Sequence, residues 1–305
     1  MKKFLAILLT LAMMTAVLSA CGSTTTDNGN TGNGGSAGDN AGDNGSNGGS
    51  AGDAGDEGTD SPYGDFADAL IEPGKLIMVT NASFPPYEMT DDQNNVIGID
   101  PDIAQAIADK LGLELVIDNI DFDAALISVQ ENRADVMLAG LTYNEDRDLV
   151  MDFTDPYATG VQVIIVREGD TTIAGTNDDL QLVDADGNVL EDIQIGVQRG
   201  TTGENYCQGA HGTDHVTSLD NGSIAVQALL NGQVDCVVID NGPAQEYVAA
   251  TPGLEILEGA YVVEDYCAAV DQGNEALLSA VNTALNELIE DGTVQSIMDK
   301  YITAE

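Results

Sequence analysis

Basic side chains are scarce in this 305-residue chain: 9 lysines and arginines stand against 52 aspartates and glutamates, a formal net charge of −43. So acidic a molecule repels phosphate backbones, which removes nucleic acid as a partner, and an anionic bilayer surface repels it equally. Small cationic solutes are instead concentrated near it. Long apolar runs are scarce too. The run over residues 4–18, behind Lys2 and Lys3, is too short to span a membrane comfortably and has the charged and apolar regions of an export signal. With two cations in that leader, any arginine placed at the end of a strand becomes a rare resource.

Cysteine is limited to Cys21, Cys207, Cys236 and Cys267. The first lies in Leu18-Ser19-Ala20-Cys21, which resembles the lipobox of bacterial lipoproteins; leucine three residues before the cut disfavours ordinary small-x-small cleavage. The resemblance implies a leader over residues 1–20, lipidation at Cys21 and attachment to the outer face of the bacterial cell membrane. Residues 21–62 are Gly, Asn, Ser, Thr, Ala and Asp with almost no large apolar side chain, so they bury no core and are expected to form a disordered tether. Its root-mean-square reach is roughly 35 Å.

Beyond the tether, strand and helix patterns alternate. Residues 76–80 read as a strand, Asp100-Pro101 opens a helix running to Leu111, and 114–118, 123–132 and 134–139 follow as strand, helix and strand. After 161–167 the series recurs: strands at 194–197, 215–219 and 235–239, with a helix after Thr202 and another over 223–231 closed by Gly232. A strand near 267–270 and two amphipathic helices, 274–290 and 293–302, complete the chain. The expected fold is α/β, in two lobes that each hold a mostly parallel sheet flanked by helices.

Ligands of open parallel sheets bind beyond the carboxyl ends of the strands. Asn81 and Phe84 follow the first strand, Phe122 the second, and Ala139, Gly140 and Thr142 the third; Gln198 and Thr202 follow the first strand of the other lobe and Asp240 its last. Asn144-Glu145-Asp146 is a helix-start signal, which puts Arg147 in a first turn beside Thr142. A guanidinium fork, hydroxyls and free N–H groups suit a carboxylate, Asp240 suits an ammonium, and Phe84 with Phe122 could sandwich a side chain. A zwitterionic amino acid carries both charges on one carbon. Taken singly, the residues leave bland readings open: composition favours an ordinary ion pair for Arg147, Asp240 in Asp-Asn-Gly-Pro is a natural turn residue, and the two phenylalanines serve equally well as core.

From about Lys75 onward the chain resembles the family 3 solute-binding proteins of bacterial amino-acid ABC importers. The resemblance rests on Gly98-Ile-Asp-Pro-Asp-Ile-Ala-Gln-Ala-Ile, Asp121-Phe-Asp, Ala139-Gly-Leu-Thr, Asp146-Arg147, Asp152-Phe-Thr-Asp-Pro-Tyr157, Gly196-Val-Gln-Arg-Gly-Thr-Thr-Gly203 and Val238-Ile-Asp240-Asn-Gly-Pro243-Ala244. It implies a two-lobed periplasmic-binding-protein-like fold of type II with two hinge crossovers, near 157–161 and 263–266. Residues 70–158 with 267–305 then form the first lobe and 161–262 the second. It also implies an amino acid as ligand and ABC permease subunits as partners. Arg147 would take the ligand carboxylate with donors at Gly140, Thr142 and Thr202, Asp240 the ammonium, and Phe84 and Phe122 the side chain.

Asn81 stands where some family members carry an aspartate, and Gln198 at a position that varies with ligand; amides at both favour a polar side chain. Arg199, if turned inward, would favour an acidic ligand, but strand alternation puts only one of Gln198 and Arg199 in the cleft. Val183-Asp-Ala-Asp-Gly-Asn-Val189 reads as a hairpin turn and lacks the spacing of a calcium loop. Among the last three cysteines, Cys207–Cys236 within one lobe is the pairing that leaves a hinge free. Cys207, His211 and His215 recur every four residues, but Gly209 and Gly212 are expected to interrupt a helix that would align them, so neither metal nor cofactor is expected. Two other classes remain in view: a dehydratase-type enzyme on the same fold, for which no second acid or base stands out, and a ligand-sensing lipoprotein.

Overall fold

A computed structural model describes residues 61–302, so the leader, Cys21 and nearly all of the tether lie outside the described residues. In chain order the main elements are β1 (Lys75–Thr80), the hairpin β2 (Met89–Thr90) and β3 (Val96–Ile97), α1 (Ile99–Leu111), β4 (Glu114–Asn119), α2 (Phe122–Gln130), β5 (Val136–Met137), α3 (Glu145–Asp148) and β6 (Met151–Phe153). Next come β7 (Ala158–Arg167), the hairpin β8 (Gly175–Thr176) and β9 (Leu182–Val183), β10 (Ile195–Gln198), α4 (Thr202–His211), β11 (Val216–Leu219) and α5 (Gly222–Leu230). The chain closes with β12 (Cys236–Asp240), α6 (Asn241–Ala250), β13 (Leu254–Ile256), β14 (Val262–Tyr266), β15 (Ala269–Asp271), α7 (Glu275–Glu290) and α8 (Thr293–Tyr301).

Two sheets result, with strand orders β4-β1-β5-β15-β6 and β11-β10-β12-β7-β13. In each, the strands that carry the βαβ pattern are parallel, while β15 and β7 run antiparallel to their neighbours. The crossovers are one ribbon: β14 pairs along β7 from Val262↔Gln162 to Tyr266↔Ala158. The fold is the expected two-lobed, type II arrangement.

Local chemistry sets the boundaries. The buried stripe Ile99, Ile103, Ala104, Ile107 and Ala108 repeats at three to four residues, Pro101 occupies the first turn where its missing N–H costs nothing, and Gly112 closes α1 in the left-handed region at φ 72°. At α4, the Thr201 hydroxyl accepts from Glu204 N at 3.2 Å and Glu204 Oε2 accepts from Gly200 N at 2.6 Å, a reciprocal cap. Asn274 caps α7, whose face of Leu277, Ala280, Val281, Ala284, Leu285 and Leu288 is buried within the same apolar cluster as the α1 stripe. That cluster continues through Tyr157 and Tyr266 at the ribbon into Val163, Ile165 and Ile239 of the second sheet.

Several expectations need correction. Asn-Gly-Pro after Asp240 opens the helix α6 where a turn was the plainer reading. Gly209 does not interrupt α4, which runs on to His211; Gly212 ends it. His211 Nε2 accepts from Leu182 N at 3.0 Å and His215 Nδ1 faces the Ile193 carbonyl at 3.1 Å, so backbone groups engage both imidazoles. Cys207, Cys236 and Cys267 are free and buried, and Cys207–Cys236 is not a disulfide. Burial pushes the Cys207 thiol up to about 12, as suits a small apolar core group. The turn at Asp184 forms as expected: its Oδ1 accepts from Asp186 N and Asn188 N, and Val183 bridges to Val189.

Candidate ligand-binding site

The ten residues singled out at strand ends meet around one cavity between the lobes. Arg147 is its cation. Asn144 Oδ1 accepts from Arg147 N at 2.8 Å, which starts the short α3 and aims the side chain inward, where the residue is 8% exposed. Nη1 donates to the Thr142 carbonyl at 2.7 Å and Nη2 to the Gly200 carbonyl of the other lobe at 3.0 Å. No carboxylate pairs with it among the described residues, and the guanidinium lies 5.6 Å over the Phe122 ring. The ordinary ion pair that composition favoured is absent. Burial holds the guanidinium down to about 10, with Glu264, Tyr206 and Asp240 acting against that; the charge persists at neutral pH.

The acidic side of the cavity is more elaborate than the sequence suggested. Asp240 stands at the N-terminus of α6 without capping it; its Oδ2 accepts from Gln162 Nε2 at 2.8 Å and its Oδ1 from the Tyr266 hydroxyl. Burial pushes its carboxyl up to about 7 against the pull of the Tyr266 bond, and the neighbouring Glu264 adds to the rise. Glu88, which strand-end reasoning missed, lines the same cavity; it accepts no N–H or hydroxyl bond among the described residues, and its carboxyl is hydrogen-bonded to that of Asp100. Burial raises it well above the usual carboxylate range, helped by Asp100 and Asp240. It is held in a tight turn: Phe84 N donates to the Glu88 carbonyl at 2.8 Å and Glu88 N to the Phe84 carbonyl at 3.0 Å.

Asp100 alters one assigned role. Its Oδ2 accepts from Gly140 N at 2.7 Å and its Oδ1 from the Tyr157 hydroxyl at 2.8 Å, so the Gly140 N–H expected for the ligand carboxylate is already engaged. Gly140 matters sterically instead. At φ 51° its place for a Cβ lies 2.6 Å from Phe84 Cε1, so any side chain there would displace the Phe84 ring. Ala139 sits beside it. Phe84 and Phe122 belong to the apolar core and line the cavity as well, so both readings of them hold.

Thr201 and Thr202, at the start of α4, face the cavity from the other lobe. Asn81 and Gln198 are joined across the cleft, Gln198 Nε2 donating to Asn81 Oδ1 at 3.1 Å while Asn81 Nδ2 donates to the Ile120 carbonyl at 2.8 Å. With the Arg147–Gly200 bond and the Tyr247 hydroxyl on the Ser83 carbonyl at 2.7 Å, these contacts hold the lobes closed. Arg199 points outward to Asp220 at 2.7 Å, which closes the route to an acidic ligand that an inward arginine would have opened.

Residues 76–304 match the bacterial extracellular solute-binding proteins, family 3. The chain belongs to that family. A probable histidine-binding protein of Neisseria gonorrhoeae is 30% identical over 247 residues, 79% of this chain and 88% of that protein. An ancestral arginine-binding protein bound to arginine shares 36% identity and superimposes with a TM-score of 0.67, covering 75% of this chain and 98% of its own. The structure of an ancestral arginine-binding protein bound to glutamine matches at 36% identity and a TM-score of 0.68, over 76% of this chain and 100% of the other. As a family 3 solute-binding protein, the molecule works by enclosing a solute between lobes, which is what the closed cavity and its ribbon hinge are built to do.

Proposed function

We propose that the protein captures a cationic L-amino acid of the arginine class outside the cytoplasm and delivers it to an ABC importer. The observation that carries this is the opposition of a buried, unpaired guanidinium at one side of the cavity to buried carboxyls at the other. Arg147 takes the α-carboxylate, with the hydroxyls of Thr142 and Thr202 as neighbours, and Asp240 takes the α-ammonium. The side chain lies between Phe84 and Phe122, and Glu88, whose buried carboxyl sits beside that of Asp100, receives its charge. Relatives named for arginine and histidine support this reading. Closure of β7 and β14 brings the Thr202 and Asp240 lobe onto a ligand first held by the Arg147 lobe, and the importer then receives the closed form. The protein acts by binding and not by catalysis.

The wider arrangement belongs to the same proposal: a leader over residues 1–20, a lipid on Cys21, a tether to about residue 62, and lobes over 70–158 with 267–305 and over 161–262. A diacylated cysteine and a tether of roughly 35 Å reach keep capture close to the membrane. Mass spectrometry of the membrane fraction should find an acyl mass on the wild type and none on Cys21→Ala. Calorimetry with arginine, lysine, histidine, glutamine and glutamate tests the ligand. Arginine or lysine should rank first; glutamate ranking first, or heat from none of the five, overturns the reading.

A further inference from the structure

Behind Asp240, two carboxylates are bonded to one nitrogen. Gln162 Nε2 donates to Asp240 Oδ2 at 2.8 Å and to Glu264 Oε2 at 2.9 Å. Tyr266 donates to the other oxygen of Asp240, and Tyr206 to the other oxygen of Glu264 at 2.9 Å. The two acids are 7% and 6% exposed, and no ion pair among the described residues includes either. Gln162 Oε1 is buried without a partner: the amide turns its nitrogen to the acids and leaves its oxygen orphaned.

Glu264 does not line the cavity. It sits on the hinge strand β14 and acts on the ligand through Asp240 and Gln162, which makes it a positioning residue. We propose that Asp240 holds a proton while the cleft is empty, kept there by the second acid, Glu264, on the same Gln162 nitrogen, and gives it up when the ligand's ammonium group arrives. Two like charges bridged by one donor in a desolvated pocket are costly to hold together, and a proton on Asp240 relieves the repulsion. The value near 7 for Asp240, to which the charge of Glu264 contributes, agrees with that arrangement. The groups facing the pair are Tyr206 from α4, Tyr266 from β14, Gln162 from β7, Arg147 from α3 and, edge-on to Tyr266 at 5.0 Å, Tyr87, with Glu88 and Asp100 beyond it. Arg147 is the cation among them, and the ligand's carboxylate occupies it on binding. The arriving ammonium then replaces the proton, which passes to solvent; no covalent bond forms.

This inference rests on Asp240 being the ammonium partner, so the test separates the two. Titrating the full-length protein with arginine at pH 7, in phosphate and in Tris, measures protons released from the difference in apparent enthalpy. The wild type should release about half a proton, and its affinity should rise about tenfold from pH 6 to pH 8. In Glu264→Gln the release should shrink towards zero and affinity should flatten across that range. Tyr206→Phe, which keeps both acids but loosens Glu264, should give an intermediate profile and serves if the first variant does not fold. Wild-type binding without proton release, or a release that Glu264→Gln leaves unchanged, overturns the inference while leaving the ligand reading intact. If no amino acid binds even at pH 8, both fall together.

Discussion

The cleft interior and its rim lie one residue apart where β10 ends, at Gln198 and Arg199, yet they treat charge in opposite ways. At the rim, the Arg199 side chain is 48% exposed and is shared between Asp220 at 2.7 Å and Asp123 of the other lobe at 3.9 Å. In the interior, Arg147 is bonded to carbonyl oxygens and Glu88 is buried against the carboxyl of Asp100, and neither belongs to an ion pair among the described residues. Water makes the rim's ion pairs worth little, whereas the interior keeps ionisable groups out of ion pairs, where an incoming partner gains most. The site is marked here by ionisable groups without an ion-pair partner.

The largest break in that contrast comes from Arg147→Ala, which should lower arginine affinity by about 2–5 kcal/mol, roughly thirtyfold to several thousandfold, with the fold retained by circular dichroism. Calorimetry finding affinity within a few-fold of wild type would show that the interior guanidinium is structural. Glu88→Gln comes next. Its amide keeps the volume but cannot ionise to meet a cation, so arginine should weaken about tenfold relative to glutamine; an unchanged ranking would move side-chain recognition away from Glu88.

Stability against pH sharpens the comparison further. Asp240 titrates near 7 in the folded protein against an ordinary value of 3.8, so between those values the native state holds more protons than the unfolded chain. Its contribution therefore favours folding at low pH and is lost as pH rises from about 4 to about 7. Thermal midpoints without ligand should fall less between pH 5 and pH 8 in Asp240→Asn than in the wild type. Equal falls would mean that the carboxyl is not titrating in the native cleft. Arg199→Ala should do least: affinity should stay within about fivefold of wild type, since exposed pairs are worth about 1 kcal/mol or less. A loss as large as that of Arg147→Ala would erase the distinction between rim and interior.

The alternating strands and helices were legible because apolar spacing and helix stops such as Gly112 and Gly232 sit where packing needs them. The residues around the cavity were legible because parallel strands deliver their following residues to one edge. Glu88 escaped that rule. It lies in the turn between Phe84 and Glu88, away from the end of a central strand, and its visible sign was an acid directly after Phe84-Pro-Pro-Tyr87. Gln162 and Glu264 sit on hinge strands that reasoning from strand ends ignores, although a lone amide between Val161 and Val163 marked an inward polar position. Helix α6 was hidden because Asn241-Gly-Pro243 has turn chemistry, yet Pro243 falls in its first turn, where a missing N–H costs nothing, as Pro101 does in α1. Alternation allowed only one of Gln198 and Arg199 into the cleft, and the structure puts Gln198 there.

The place of β15 in the first sheet has a consequence for biosynthesis. Strand β6 is joined to the rest of that sheet through β15, which is made only after every strand of the second sheet. A chain emerging from the ribosome can thus complete its later lobe before its earlier one, and the first sheet stays open until residues 269–271 arrive. Such late closure keeps the leading half slack while its tail is still being made.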